Sequence, residues 1–341
     1  MTAPVALLPE AVPRGVVRRM PRWTRYVPVA VTFTLLLVAF GIGAVVYDNF
    51  LRGQVIANIF ITNSHLIVLA TGLTFVILTG GIDLSVGSVV ALTTMIVAKM
   101  FSSLNAPAPL VIVVVLAVGA LNGLVAGVMI QRFKIQPFIA TLAMMFLARG
   151  LCYVISVESI PITDSFFRRM STFRITVGPN TTITPAVLIA LGVVVISFYV
   201  LHYTRFGRTI YAIGGSEQSA TLMGLPVAST KVAAYVVSGL CSAVAGLLYT
   251  FNAVQSGSPL HAIGMELDGI SAVAIGGTLL SGGYGFVVGS MFGVLILGTI
   301  STLIKYNGSL NSGWTRISTG ALVLFFIVMQ RMLTLGRSSR T

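Results

Sequence analysis

"TGGIDLSVGS", residues 79–88, is the stretch whose reading decides the fold. "HLIVLATGLTFVIL" (65–78) runs into it and "VVALTTMIVA" (89–98) runs out of it, so Asp83 falls between two apolar segments. Only 8 Asp and Glu residues occur in 341, which makes a carboxylate here a placement with a physical reason. A glycine pair, Gly80 and Gly81, permits a sharp reversal. An aspartate beside a helix start accepts backbone N–H bonds where the helix dipole favours an anion. The stretch therefore reads as a turn between two membrane spans.

Composition extends that reading to the whole chain. It is 56% hydrophobic and 9% charged, with a mean hydropathy of +0.98. Soluble domains carry about 25% charged residues, so an all-α, polytopic integral membrane protein is expected. Packed as helices of about 20 residues, the chain holds about ten transmembrane helices. The apolar runs place them near 27–47, 64–80, 84–101, 108–130, 135–157, 184–204, 230–254, 268–281, 286–304 and 314–330. The third and eighth are the least marked, and 268–281 is short enough to be a half-helix or a re-entrant segment. The expected organisation is an N-terminal tail, 1–26, one transmembrane domain, 27–335, and a C-terminal tail, 336–341. Lys and Arg gather in the N-terminal tail, around Arg132 and Lys134, between Arg205 and Lys231, and after Arg331. This bias puts both tails in the cytoplasm.

Several function classes drop out. The net charge of +13 comes from Lys and Arg scattered beside apolar runs, which is span-flanking charge and not a clustered basic groove for nucleic acid. Cys152 and Cys241 lie within apolar runs without a CxxC or a ligand set, as small buried hydrophobes. The apolar run after Arg25 is too long for a signal-peptide core and lacks a small-residue exit, so it reads as a retained first span. His65, His202 and His261 sit on different segments with no zinc spacing. No G-x-S-x-G elbow is present. No lysine precedes Ser or Thr, so a Walker A loop is missing. If ATP drives this protein, another chain hydrolyses it.

Glycine spacing suggests tight helix packing. Gly119, Gly123 and Gly127 recur every fourth residue, as do Gly285, Gly289 and Gly293; this puts small residues on one face and lets backbones approach. "GGIDLSVGSVVAL" (80–92) is echoed by "GGTLLSGGYGFVVGSMFGVL" (276–295), which leaves open a repeat or a coincidence in a glycine-rich chain.

Two connections are long. Residues 158–183 face the exterior in this topology, and 205–229 face the cytoplasm. The second contains "SEQSATLMG", a short helix with Ser216 as its cap and Gly224 and Pro226 as its stop. Asp83 and its neighbour Ser85 carry two readings, a helix cap or the lining of a polar path. Glu266 and Asp268 start the eighth segment, where first-turn carboxylates complement a helix dipole or border a path. Arg149 either snorkels outward, marks a shifted span boundary, or acts as a ligand within the membrane. Asn122, between two spaced glycines, hydrogen-bonds across helices or lines the path.

"GGIDLSVGS", "RFGRTIYAIGGSEQSATLMGL" (205–225) and "ELDGISAVAIGGTLLSGGYG" (266–285) together resemble the permease subunits of bacterial ABC sugar importers of the ribose, xylose and galactofuranose group. The similarity spans residues 55 to 332. Within the group, "ISVESIPI" (155–162) and "GGTLLSGG" look most like the galactofuranose permease subunit; residues 1–26 depart from the pattern. The resemblance implies a permease in the bacterial inner membrane. It implies partnership with an ABC ATPase subunit, a periplasmic sugar-binding protein, and a second permease subunit, identical or a sister. No cofactor is expected on this chain; ATP and Mg belong to the ATPase. The resemblance also makes the 205–229 loop a dock for that ATPase, with Gly214, Gly215, Glu217, Ala220 and Gly224 matching the family pattern. The competing class is a secondary sugar transporter coupled to an ion through Asp83. A membrane enzyme would need a catalytic cluster.

Overall fold

A computed structural model describes residues 27–308 and 312–338; the N-terminal tail, 1–26, and residues 339–341 of the C-terminal tail lie outside the described residues. Away from water the backbone must satisfy its own polar groups, and a helix does so within one segment. The helices are α1 (Val27–Val46), α2 (Gly53–Leu78), α3 (Val86–Leu104), α4 (Ala108–Arg132), α5 (Pro137–Ile155), α6 (Ser165–Thr172), α7 (Pro185–Tyr203), α8 (Arg205–Gly215), α9 (Glu217–Leu222), α10 (Val227–Tyr249), α11 (Met265–Ile275), α12 (Val287–Asn307) and α13 (Ser312–Ser338). A π-helical turn, Thr250–Val254, prolongs α10.

Among the described residues, α1 to α5, α7, α10 and α12 are the eight helices long and apolar enough to cross a membrane. α13 adds a shorter apolar stretch, Gly313–Met329. α11 has 11 residues, about 16 Å of helix against a hydrocarbon core of about 30 Å. The ten spans read from the sequence thus become eight full-length helices, one shorter stretch and one half-helix.

α2 begins eleven residues before the expected span at 64–80. Asn63, Ser64 and His65 interrupt the apolar pattern without interrupting the helix. Asn63 Nδ2 donates to the Ile59 carbonyl at 2.8 Å and Ser64 Oγ to the Ile61 carbonyl at 3.0 Å, so these polar groups are satisfied along their own helix.

α2 and α3 form the centre, with 78% and 72% of their span residues buried, whereas α1 has 17%. α10 packs against α2, α3 and α4. The α4–α10 contact is made at small residues: Gly119 faces the Gly239 carbonyl and Gly123 faces the Tyr235 carbonyl, where a Cβ would collide with backbone. Gly289 and Gly293 do the same for α12 against α11, at the carbonyls of Gly276 and Ala272. Gly285 does not belong to that stripe; it precedes α12 and packs on Thr278.

The 158–183 connection is folded. Asp164 caps α6 through the N–H groups of Phe166 and Phe167 at 2.9 and 3.2 Å. β1 (Ile160–Pro161) pairs antiparallel with β4 (Ser256–Gly257), and β2 (Ile175–Gly178) with β3 (Thr181–Ile183). Gln54, at the start of α2, accepts from Thr182 N at 2.8 Å and donates to Thr182 O at 3.2 Å. At the other end of α2, about 37 Å away by helical rise, the Leu78 carbonyl accepts from Gly283 N at 2.9 Å. These contacts mark the two faces of the molecule.

Candidate functional site

Asp83 sits at a junction of three elements and is 1% exposed. Its Oδ1 accepts from Ser85 N at 2.9 Å and from Ser85 Oγ at 2.7 Å. Its Oδ2 accepts from Ser238 Oγ of α10 at 2.7 Å. Asn122 Oδ1 of α4 lies 3.0 Å from the same Ser85 hydroxyl. The N-cap residue of α3 is Ser85, not Asp83. The simple cap reading is therefore corrected: Asp83 accepts one backbone N–H, in a short Asx-type turn, and spends its other lone pairs on hydroxyls. The reason is tertiary, since α10 brings in Ser238 as a donor that the loop itself lacks, and α4 brings Asn122 Oδ1 as an acceptor for Ser85. The Tyr235 hydroxyl of α10 lies against Gly81, is buried, and has no hydrogen-bond partner among the described residues.

The two Gly-Gly loops meet. Besides the Gly283 N bond to Leu78 O, Gly282 packs on the backbone of Gly80. α8 stands on this meeting point: a Cβ on Gly214 would strike the Leu78 carbonyl and the Gly283 backbone, so only glycine lets α8 seat there. Its Tyr211 hydroxyl donates to Gly285 O at 2.7 Å.

The loop expected to hold one short helix holds two, because "RFGRTIYAI" also has a cap. Thr204 Oγ1 accepts from Gly207 N at 3.2 Å, and Ile210 and Ile213 are buried. The second helix, α9, is capped by Ser216 Oγ, which accepts from Ser219 N at 3.2 Å. It ends with Gly224 at φ 72°, Gly224 N bonded to Thr221 O at 3.0 Å and Leu225 N to Ala220 O at 3.1 Å, a Schellman stop. The five residues matched to the family pattern have separate jobs. Gly214 and Ala220 face inward, Gly224 stops the helix, and Gly215 and Glu217 are exposed. Glu217 pairs with Lys231 of α10 at 2.8 Å. Leu222 and Met223, 83% and 67% exposed, were not singled out in the sequence.

Farther along the bundle, Arg149 neither snorkels nor pairs with a carboxylate among the described residues. Its Nη1 donates to the carbonyls of Pro259 and His261, at 2.5 and 2.7 Å. These carbonyls belong to the irregular segment before α11, which has no helical ladder of its own, so a cation supplies the missing donors. His261 Nδ1 is 3.2 Å from Thr94 Oγ1 of α3. His65 and His261 both set their rings edge-on to Tyr249, with centroids 4.9 and 5.7 Å away, while His202 stacks apart on Phe286. No group of side chains able to hold a metal occurs among the described residues.

Glu266 and Asp268 do occupy the first turn of α11. Glu266 Oε2 is buried against Gly87 of α3 without a hydrogen-bond partner. Asp268 pairs with Arg316 of α13 at 3.2 Å. That pair borders a cavity of about 390 Å³ whose polar lining includes Asn63, Ser301, Lys305 and Thr319. Asp83, Ser85 and Asn122 thus cluster at the start of α3; Glu266 packs in the first turn of that helix, at Gly87, while Asp268 pairs with α13 and Arg149 holds the segment that leads into α11. The sequence reading missed Ser238, Tyr235, Asn63 and Arg316, because a lone hydroxyl, amide or cation in a span has no local signature.

The chain matches a family model described as "Branched-chain amino acid transport system / permease component" over residues 55–328. It is 41% identical over 310 residues to the inner membrane ABC transporter permease protein YjfF of Escherichia coli (strain K12), covering 91% of this chain and 93% of that one. It is 42% identical over 307 residues to the fructose import permease protein FruG of Bifidobacterium longum (strain NCC 2705), covering 88% of each chain. The ribose import permease protein RbsC of Escherichia coli (strain K12) is 36% identical over 295 residues, covering 86% and 90%. No solved structure matches. On a match that runs from α2 into α13, and on relatives aligned over nearly their whole length, the chain belongs to this permease-component family and, within it, to the sugar ABC importer permeases.

Proposed function

We propose that this chain is the membrane-crossing subunit of an ATP-driven importer of a monosaccharide, with galactofuranose or a related sugar as the finer assignment. The observation that carries the reading is the seat of α8 and α9. α9 offers Leu222 and Met223 to a partner, while α8, one residue before it, rests through Gly214 on both Gly-Gly loops at once. A push on α9 from an ATPase subunit is thereby delivered to Leu78, Gly283 and the turn that holds Asp83.

Permeases of ABC importers work with an ATPase and a substrate-binding protein. Here the ATPase, holding ATP and Mg, docks on α9 from the cytoplasm. The binding protein meets the folded 158–183 connection, and a second permease subunit completes the path. The polar cavity beside Asp268 and Arg316 suits neutral, hydroxyl-rich cargo, which needs hydrogen-bonding groups and no fixed counter-charge. Fructose and ribose are the sugars in the relatives' names; galactofuranose rests on the resemblance at 155–162.

The test is reconstitution of the chain with its ATPase and binding protein in vesicles, offered labelled monosaccharides with and without ATP. ATP-dependent uptake of one of them is expected. Uptake of amino acids with no monosaccharide transported would overturn the reading.

A further inference from the structure

We propose that the groove between the end of α4 and the start of α10 is a binding site for an anionic phospholipid. The groove has a volume of about 780 Å³. Val128 of α4 and Val232 and Val236 of α10 supply apolar walls. Arg132 and Lys134 stand at one end of it, both exposed.

The charges select the occupant. Lys231, the third cation in this region, is neutralised by Glu217 at 2.8 Å. Arg132 and Lys134 have no carboxylate partner among the described residues, whose ion pairs are Lys231–Glu217 and Arg316–Asp268. Two uncompensated cations at the mouth of an apolar slot match a headgroup phosphate above an acyl chain. Basic side chains at a membrane surface attract anionic lipid in just this arrangement. The groove runs alongside the α4–α10 seam, whose floor is closed where Gly123 packs on Val236 and Gly127 on Val232. A lipid seated here touches α10 on both sides of Lys231, which pins α9. The site lies on the face of the molecule that carries α9, and it does not depend on which sugar is moved.

The experiment embeds the full chain in phosphatidylcholine vesicles doped with a diazirine-labelled phosphatidylglycerol, followed by irradiation and peptide mapping. Adducts are expected on residues 128–134 and 228–237, competed by unlabelled phosphatidylglycerol and not by phosphatidylcholine. Arg132→Gln with Lys134→Gln should lower the adduct yield by about tenfold, the loss expected when two basic groups leave an anionic headgroup. Ala233→Trp, at a lining position outside the Gly127–Val232 contact, fills the slot, keeps both charges and should also abolish the adduct. Each variant is first checked for monodisperse elution, and an Arg132→Lys variant should retain labelling if one of them folds poorly. Equal labelling by a phosphatidylcholine probe would overturn the proposal. So would protein–protein adducts in place of lipid, which would assign the groove to a neighbouring subunit.

Discussion

Asp83 and Ser238 are 155 residues apart in sequence and 2.7 Å apart in the fold, carboxylate Oδ2 to hydroxyl. This bond fastens the α2–α3 turn to α10, the helix that also packs on α2, α3 and α4. A buried carboxylate bonded on both oxygens is costly to disturb, because each abandoned donor stays buried.

Asp83→Asn keeps an oxygen for Ser85 and places an amide opposite Ser238, whose hydroxyl can turn to accept. Asp83→Leu satisfies neither. Asp83→Leu should lose about 1–3 kcal/mol for each orphaned buried group, read as a fall in melting temperature and in uptake. Asp83→Asn should fold and retain much of the transport. Complete loss of uptake by a well-folded Asn variant would point instead to a charge-dependent step at Asp83 and revive ion coupling.

Gly224 holds φ 72° with open space around its Cα, so a side chain there meets backbone strain and no clash. Gly224→Val should cost about 1–2 kcal/mol at the α9 stop, while Gly224→Asn should cost less. The expected pattern is normal membrane insertion with ATPase association weakened in the order Gly, Asn, Val. Equal association for all three would detach docking from the Schellman stop.

Glu217 is half exposed and pairs with Lys231. Glu217→Ala should shift stability by only about 0–1 kcal/mol, as measured by thermal unfolding. A cysteine in place of Glu217 should react with a membrane-impermeant maleimide from the cytoplasmic side and crosslink to the ATPase. Labelling from the exterior would invert the topology.

Arg149 provides donors for two carbonyls of the segment leading to α11. Arg149→Met should cost about 1.5–3 kcal/mol per lost charge-assisted bond, and Arg149→Lys, with one ammonium for two acceptors, should recover part of it. Limited proteolysis between residues 255 and 264 should speed up in the Met variant and less in the Lys variant. Unchanged cleavage in both would remove Arg149 as the clamp of this segment.

The sequence by itself determined whatever local chemistry decides. The membrane class follows from composition, and the turn at 79–85 follows from a glycine pair beside an aspartate. α9 was legible from Ser216 to Gly224 because its cap and stop lie within the same few residues. The spaced glycines of α4 announced a close helix contact through their period alone. The tertiary structure decided the partners. Ser238 as the donor to Asp83, the carbonyls that Arg149 holds, and Gly283 as the seat of Gly214 all join distant segments. The start of α2 was also hidden, since Asn63 and Ser64 look like a break until their bonds along the helix are seen, and His65 until its ring is found against Tyr249. The physical reason is that a span apolar on every side carries no periodic signal of which face turns inward. Only the packing of its neighbours sets that rotation, and with it the positions of the few polar groups on which the site depends.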